Sequence, residues 1–174
     1  MSWWMGDVMP DRAVATGGKQ CPGEGNTFDH ATVIYEYANG VRGFLGVRSQ
    51  DSCHDENNDY IIGSRGICTI GRGPVPVITG DKPWRFAGVA NNMYQTEHDE
   101  FFASLRRGKP INDGRRMAHT SLMAIMGRMA AYTGQEITWQ MALNSRESLV
   151  PEHFDWKMKV PETPVAVPGR TKFV

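Results

Sequence analysis

The sequence is poor in the features that announce a specialised chemistry. Only three cysteines, Cys21, Cys53 and Cys68, occur in 174 residues, and no two of them form a C-x-x-C pair. A disulfide framework and a zinc knuckle are thereby disfavoured, although two of the three can still pair in an oxidising compartment. Neither sign of charge dominates: Lys plus Arg number 19, as do Asp plus Glu, and the formal net charge is zero. That balance argues against nucleic acid or a membrane as partner. No stretch approaches the roughly 18 apolar residues of a membrane helix. The start, Met1-Ser2-Trp3-Trp4-Met5-Gly6-Asp7, lacks the basic and apolar regions of a signal peptide. Also missing are a G-x-G-x-x-G between strand and helix, a Walker lysine, H-E-x-x-H and G-x-S-x-G. Nothing here predicts a self-sufficient active site.

What is present is an ordinary globular composition, 40% hydrophobic and 22% charged. The length suits one domain, or a domain with an extension, and can bury roughly 70% of the unfolded chain's surface. Trp3, Trp4 and Met5 before Gly6 look like the end of a helix with its glycine cap. From Arg12 to Ile78 the pattern is strand after strand: Ala13 to Thr16, Asp29 to Tyr37, Val41 to Gln50, Tyr60 to Ile62, Ile67 to Ile70 and Pro74 to Ile78. Asn39-Gly40 between two of these runs is a strong hairpin signal, since both residues tolerate positive φ. Gly63-Ser64-Arg65-Gly66 predicts a second turn, and Gly71-Arg72-Gly73 is a similar glycine punctuation rather than a phosphate cradle.

Beyond these runs the pattern turns helical. Thr96 reads as an N-cap with Asp99 and Glu100 behind it, followed by a stripe of Phe101, Phe102 and Leu105 and a stop at Gly108-Lys109-Pro110. Asn112 or Asp113 can cap a longer helix from about Arg115 to Thr133, ending at Gly134 and apolar on most sides. A short element follows near Trp139 to Leu143. Residues 151–174, punctuated by Pro151, Pro161, Pro164 and Pro168, are expected to be extended. The fold class is therefore α+β: an open, mostly antiparallel sheet of about five or six strands with helices packed on one face. Its domain spans residues 1–160, with an extended tail over 161–174.

Few side chains suggest chemistry. His54-Asp55-Glu56 with Asp59 matches no standard metal spacing, and Glu97-His98-Asp99-Glu100 is explained by the dipole of a helix start. The methionines Met117, Met123, Met126 and Met129 suit core filling or a soft interface. His98 precedes Phe101 and Phe102 by about one turn, a place for a structural histidine, and is also kept as a candidate ligand residue. Gly17-Gly18 lets another backbone or a ligand approach closely, and Lys19 and Gln20 follow directly. Arg48 and Gln50 share side-chain parity. Lys19, Gln20, Arg48, Gln50 and His98 are the candidate substrate-binding residues. Their donors and acceptors suit a hydroxyl-rich ligand or, equally, the polar outer face of a sheet. No catalytic, cofactor or metal residue is assigned.

Taken in order, several stretches resemble the C-terminal domain of the glucose–fructose oxidoreductase / inositol dehydrogenase / rhizopine catabolism (Gfo/Idh/MocA) family, particularly its bacterial sugar-dehydrogenase-like members. They are Gly17-Gly18-Lys19-Gln20, Asp29-His30, Tyr35 to Arg42, Gly63 to Gly66, Tyr94 to His98, Leu105 to Asn112, Gly127 to Gly134 with Ile137-Thr138-Trp139, and Pro168 to Phe173. The resemblance implies an enzyme of two parts: a Rossmann domain that binds NAD or NADP, and an α+β domain that shapes a sugar or polyol site and builds a homo-oligomer through its sheet. This chain matches the second part only. The family's catalytic lysine and histidine would then lie upstream of Met1, the chain alone would be inactive, and its cofactor would be held elsewhere. Lys19 stands where the family often has arginine, and Cys68 where a plainer hydrophobe is usual; both blur the substrate. The alternatives are a stand-alone dimeric binding or assembly module, and a fragment of one of the family's NAD-dependent glycosidases. The tail, Pro161 to Val174, is expected to be loose or to reach across to a second copy. The cysteines favour a cytoplasmic setting, an exported parent being left open.

Overall fold

The computed structural model describes residues 1–23, 25–89, 91–151, 153–159 and 163–174. The chain divides into two compact units, residues 1–51 with 112–174, and residues 52–111. The first holds strands β1 (Arg12–Gly18), β2 (His30–Glu36), β3 (Arg42–Arg48) and β8 (Ile137–Thr138) with helices α2 (Gly114–Thr133) and α3 (Trp139–Leu143). The second holds β4 (Asp59–Gly63), β5 (Gly66–Ile70), β6 (Val77–Gly80), β7 (Trp84–Arg85) and helix α1 (Met93–Arg106). The class is α+β, and the strand pairs are antiparallel. The strands divide between two four-stranded sheets, β3-β2-β1-β8 and β4-β5-β6-β7, in place of the one continuous sheet expected. The break falls in the polar loop after Gln50, where Ser52 takes a φ of 61°.

In the first unit, strand alternation sends one row of side chains under α2. Ala13, Val33, Tyr35 and Ile137 pack with Met126, Met129 and Ala130, all buried. Each large apolar side chain removed from water there contributes about 1.5–3 kcal/mol. Helix and sheet approach closely at Gly127, where a Cβ would lie 2.5 Å from Tyr35 Oη. That hydroxyl donates to the Met123 carbonyl at 3.0 Å, and burial pushes its pKa up to about 12. Only the second half of α2 is sunk in this way; Met117 in its first half is 67% exposed, so the helix is not apolar-packed on most sides. Asp113 makes no side-chain cap bond; Asn112 Oδ1 instead accepts from Gly114 N–H at 3.1 Å.

Other local expectations meet the structure with small changes. Ser2–Met5 is a short 3₁₀ turn ending in left-handed Gly6. The β2–β3 hairpin forms where Asn39-Gly40 predicts it, but only Gly40 has positive φ (81°). Tyr37 and Val41 close a three-residue loop through Tyr37 N–H to Val41 O at 3.0 Å, the arrangement of a turn followed by one left-handed residue. The tail is held by its own chain, contrary to the expectation that it hangs loose or swaps. Gly169 N–H donates to Thr133 O at 2.8 Å, Ser145 Oγ to the backbone oxygen of Val174 at 2.6 Å, and Phe173 packs against the core. Its first residues, Pro161 and Glu162, lie outside the described residues.

In the second unit, α1 starts at Met93 and not near Thr96. Asn92 caps it, its Oδ1 accepting from Tyr94 and Gln95 N–H at 3.0 and 3.3 Å, which is what an asparagine just before a helix does best. Thr96, one turn inside, bonds Asn91. The stripe of Phe101, Phe102 and Leu105 stays 42–47% exposed. No described helix is long and apolar enough to cross a membrane.

Candidate functional site

Four of the five candidate residues gather at one end of the first unit's sheet. β1 ends in Gly17-Gly18, the loop 19–29 leaves it, and β2 returns at His30. The strands can approach there because Gly17 has no side chain: a Cβ would sit 2.6 Å from His30 O. Asp29, at the loop's end, organises everything around it. One carboxylate oxygen, Oδ2, accepts the backbone N–H groups of Gln20 and Cys21, each at 2.6 Å. The other, Oδ1, accepts Gln50 Nε2 at 2.9 Å and lies 2.8 Å from His30 Nδ1. The side chain of Asp29 is 9% exposed. These donors, led by Cys21 N–H and then His30, hold its carboxyl well below the usual carboxylate range.

The predicted residues take different places around this centre. Gln50 lies beyond the end of β3 and closes on Asp29, with its amide also 3.5 Å from Gln20 Oε1. Lys19 turns back on its own loop, donating from Nζ to Cys21 O at 3.2 Å and Gly23 O at 2.8 Å. Arg48, exposed at the last position of β3, is the register partner of His30, which in turn pairs with Gly18. His98 belongs to the second unit; it is exposed on α1, its Nδ1 2.7 Å from Tyr94 O, so it does not edge into a core.

In the sequence Asp29 and His30 read as the start of a strand run and as a family-like stretch, yet they are the centre of the cluster. The signal was a short acid placed where a loop re-enters a strand, a position from which it can collect loop N–H groups. The loop is pinned on its other side by Phe28, whose ring lies 4.3 Å from that of Tyr132 and whose N–H donates to Tyr132 Oη at 3.2 Å.

The second unit's polar features have local duties. Glu56 accepts Tyr60 Oη at 2.7 Å and lies 3.4 Å from His54 Nε2; Asn58, Tyr60 and His54 bring its pKa down to about 2. At the Gly63–Gly66 turn, Arg65 pairs with Asp81 at 3.2 Å.

No family model matches this chain, and no curated protein matches it by sequence. Solved structures do share its fold. A protein described as an oxidoreductase, from Thermotoga maritima, superposes with a TM-score of 0.61 at 21% identity, over 79% of this chain and 43% of that one. An oxidoreductase from Agrobacterium radiobacter, in complex with NAD+, L-tartaric acid and magnesium, gives a TM-score of 0.56 at 14% identity, over 80% of this chain and 46% of that one. The WlbA dehydrogenase from Bordetella pertussis, in complex with NADH and UDP-GlcNAcA, gives 0.50 at 16% identity, over 79% and 40%. The chain thus has the fold of one portion of these oxidoreductase structures and spans less than half the length of each.

Proposed function

We propose that this chain is the substrate-side, oligomer-building domain of an NAD(P)-dependent sugar or polyol oxidoreductase of the Gfo/Idh/MocA type. The observation that carries this is the Asp29 cluster: a polar, multiply hydrogen-bonded end of the sheet, formed by loop and strand ends within a fold shared with oxidoreductases. Lys19, Gln20, Arg48 and Gln50 supply its donors and acceptors. A ligand of many hydroxyls suits such a surface better than an apolar one. The nicotinamide, NAD or NADP, is held by a Rossmann domain in this reading, and the catalytic lysine and histidine are not among this chain's residues; hydride transfer requires the reacting atoms to be held about 3–3.5 Å apart. By itself the chain binds sugar weakly and turns nothing over; neither nucleic acid nor a membrane is its partner.

One experiment tests this. The full chain is titrated with NADH, NADPH, myo-inositol and D-glucose, followed by calorimetry and by amide NMR. Millimolar polyol binding that moves the Lys19, Gln20 and Gln50 resonances, with no response to either nicotinamide, is expected. Micromolar NADH binding, or silence to every polyol, overturns the proposal.

A second reading, an assembly module that only oligomerises, is favoured by one observation. On the sheet face opposite α2, Val14, Ile34 and Phe44 lie side by side in register, and Phe44 is 67% exposed. The polyol titration separates the two.

A further inference from the structure

We infer that His30 is a ligand-contacting residue of this site, presenting Nε2 as a hydrogen-bond acceptor for a hydroxyl group, with Asp29 as the positioning residue that fixes its tautomer. The inference rests on the sugar or polyol reading above and adds a residue to it.

The first step is the state of Asp29. It accepts from two backbone N–H groups and one amide, and donors of that number stabilise the ionised form. An ionised carboxylate has acceptor sites only. The 2.8 Å contact between Asp29 Oδ1 and His30 Nδ1 therefore requires the hydrogen on Nδ1. In the neutral ring this leaves the lone pair on Nε2. Gln50 Nε2, 3.4 Å from His30 Nδ1, is itself a donor to Asp29 and does not compete for that hydrogen.

The second step is where Nε2 lies. His30 and Gly18 are register partners on the sheet face opposite α2, and the ring edge passes over the glycine. A Cβ on residue 18 would stand 3.4 Å from Cε1 and 3.7 Å from Nε2. The His30 side chain is 33% exposed, and among the described residues no hydrogen bond of its Nε2 is seen. Gly18 thus keeps clear the approach to the one acceptor that the Asp29 clamp creates. Gly17 serves backbone packing; Gly18, its neighbour, serves access.

The test uses the full chain, labelled with ¹⁵N, at a pH where free imidazoles are neutral. Long-range imidazole spectra should show His30 as the Nδ1–H tautomer, and myo-inositol or D-glucose should move its Nε2 resonance. Loss of one hydroxyl hydrogen bond corresponds to about five- to tenfold weaker polyol binding, the change expected for His30→Phe. Gly18→Ala should weaken binding similarly while leaving ring and clamp in place, so a folding defect in His30→Phe cannot mimic the result. In Asp29→Asn the tautomer should become mixed. An Nε2–H tautomer in the wild type overturns the inference. So does polyol binding that is unchanged in both His30→Phe and Gly18→Ala, a result that leaves the proposed function standing. Absence of any polyol response in the wild type overturns both.

Discussion

Four donors converge on Asp29, and its proton has nowhere favourable to sit once the loop has closed. In the unfolded chain the carboxyl titrates near the ordinary value of 3.8; in the folded chain it titrates lower, chiefly through Cys21 N–H and then His30. Its contribution to stability is therefore complete above that ordinary value and is lost as the pH falls through the lower, folded one. Thermal melts of wild type and Asp29→Asn should differ most near neutral pH and draw together toward about pH 2. A gap between the two proteins that stayed constant across that range would show that charge at residue 29 does not matter. This centre was half legible in the sequence. Paired glycines and strand ends mark the polar approach where Gln20 and Gln50 meet Asp29, whereas Lys19 turns back on its own loop. Asp29 was passed over because a carboxylate facing N–H groups some nine residues away leaves no periodic trace. His98 was misplaced for a related reason: helical spacing relates a residue to its neighbours but not to the surface that would cover them.

At the scale of elements, Gly127 and Gly17 mark contacts too close for a side chain. Alanine at residue 127 would gain about 1 kcal/mol of helix propensity but places a methyl 2.5 Å from Tyr35 Oη and 3.2 Å from Val33 Cγ1. Overpacking costs about 1–3 kcal/mol, so Gly127→Ala should be net destabilising in urea melts. Removing the hydroxyl in Gly127→Ala/Tyr35→Phe should restore part of the loss, a non-additivity that a double-mutant cycle measures. Purely additive changes would mean that α2 shifts away without resistance. For β1, Gly17→Ala should cost about 1–3 kcal/mol, because its methyl meets the backbone of His30, whereas Gly18→Ala should be nearly neutral in the same melts. The hairpin and both long helices were legible from turn residues and apolar spacing, and a short element near Trp139 was legible without its type, which the structure gives as a helix. The strands β7 and β8, two residues each, were not; a strand that short is defined by its partner and not by its own composition. The division of strands between two sheets was equally hidden, since a meander that breaks and one that continues use the same turns.

At the scale of the molecule, the surface of the first unit offers a test of assembly. Val14, Ile34 and Phe44 run across three strands, bordered by the Arg12–Glu36–Arg42 row, whose ion pairs measure 2.6 and 3.0 Å. If the homo-oligomer forms through this face, sedimentation velocity at micromolar concentration should give an oligomer, and Phe44→Glu a monomer with an unchanged circular dichroism spectrum. A wild-type monomer at that concentration would remove the sheet face from consideration. The docked tail belongs to this scale too. Its prolines argue against a helix, and none forms among its described residues, yet proline content does not say what an extended segment lies against.

The first unit is built from both ends of the chain, with residues 52–111 inserted between. On the ribosome this order matters. β1, β2 and β3 emerge early and can pair as a meander, but their apolar face waits for Met126, Met129 and Ala130, and for β8, to be synthesised. The inserted unit, by contrast, is contiguous and can fold as it appears. A nascent chain arrested near residue 111 should therefore hold a bare sheet that recruits chaperones, and release of residues 112–143 should end that dependence.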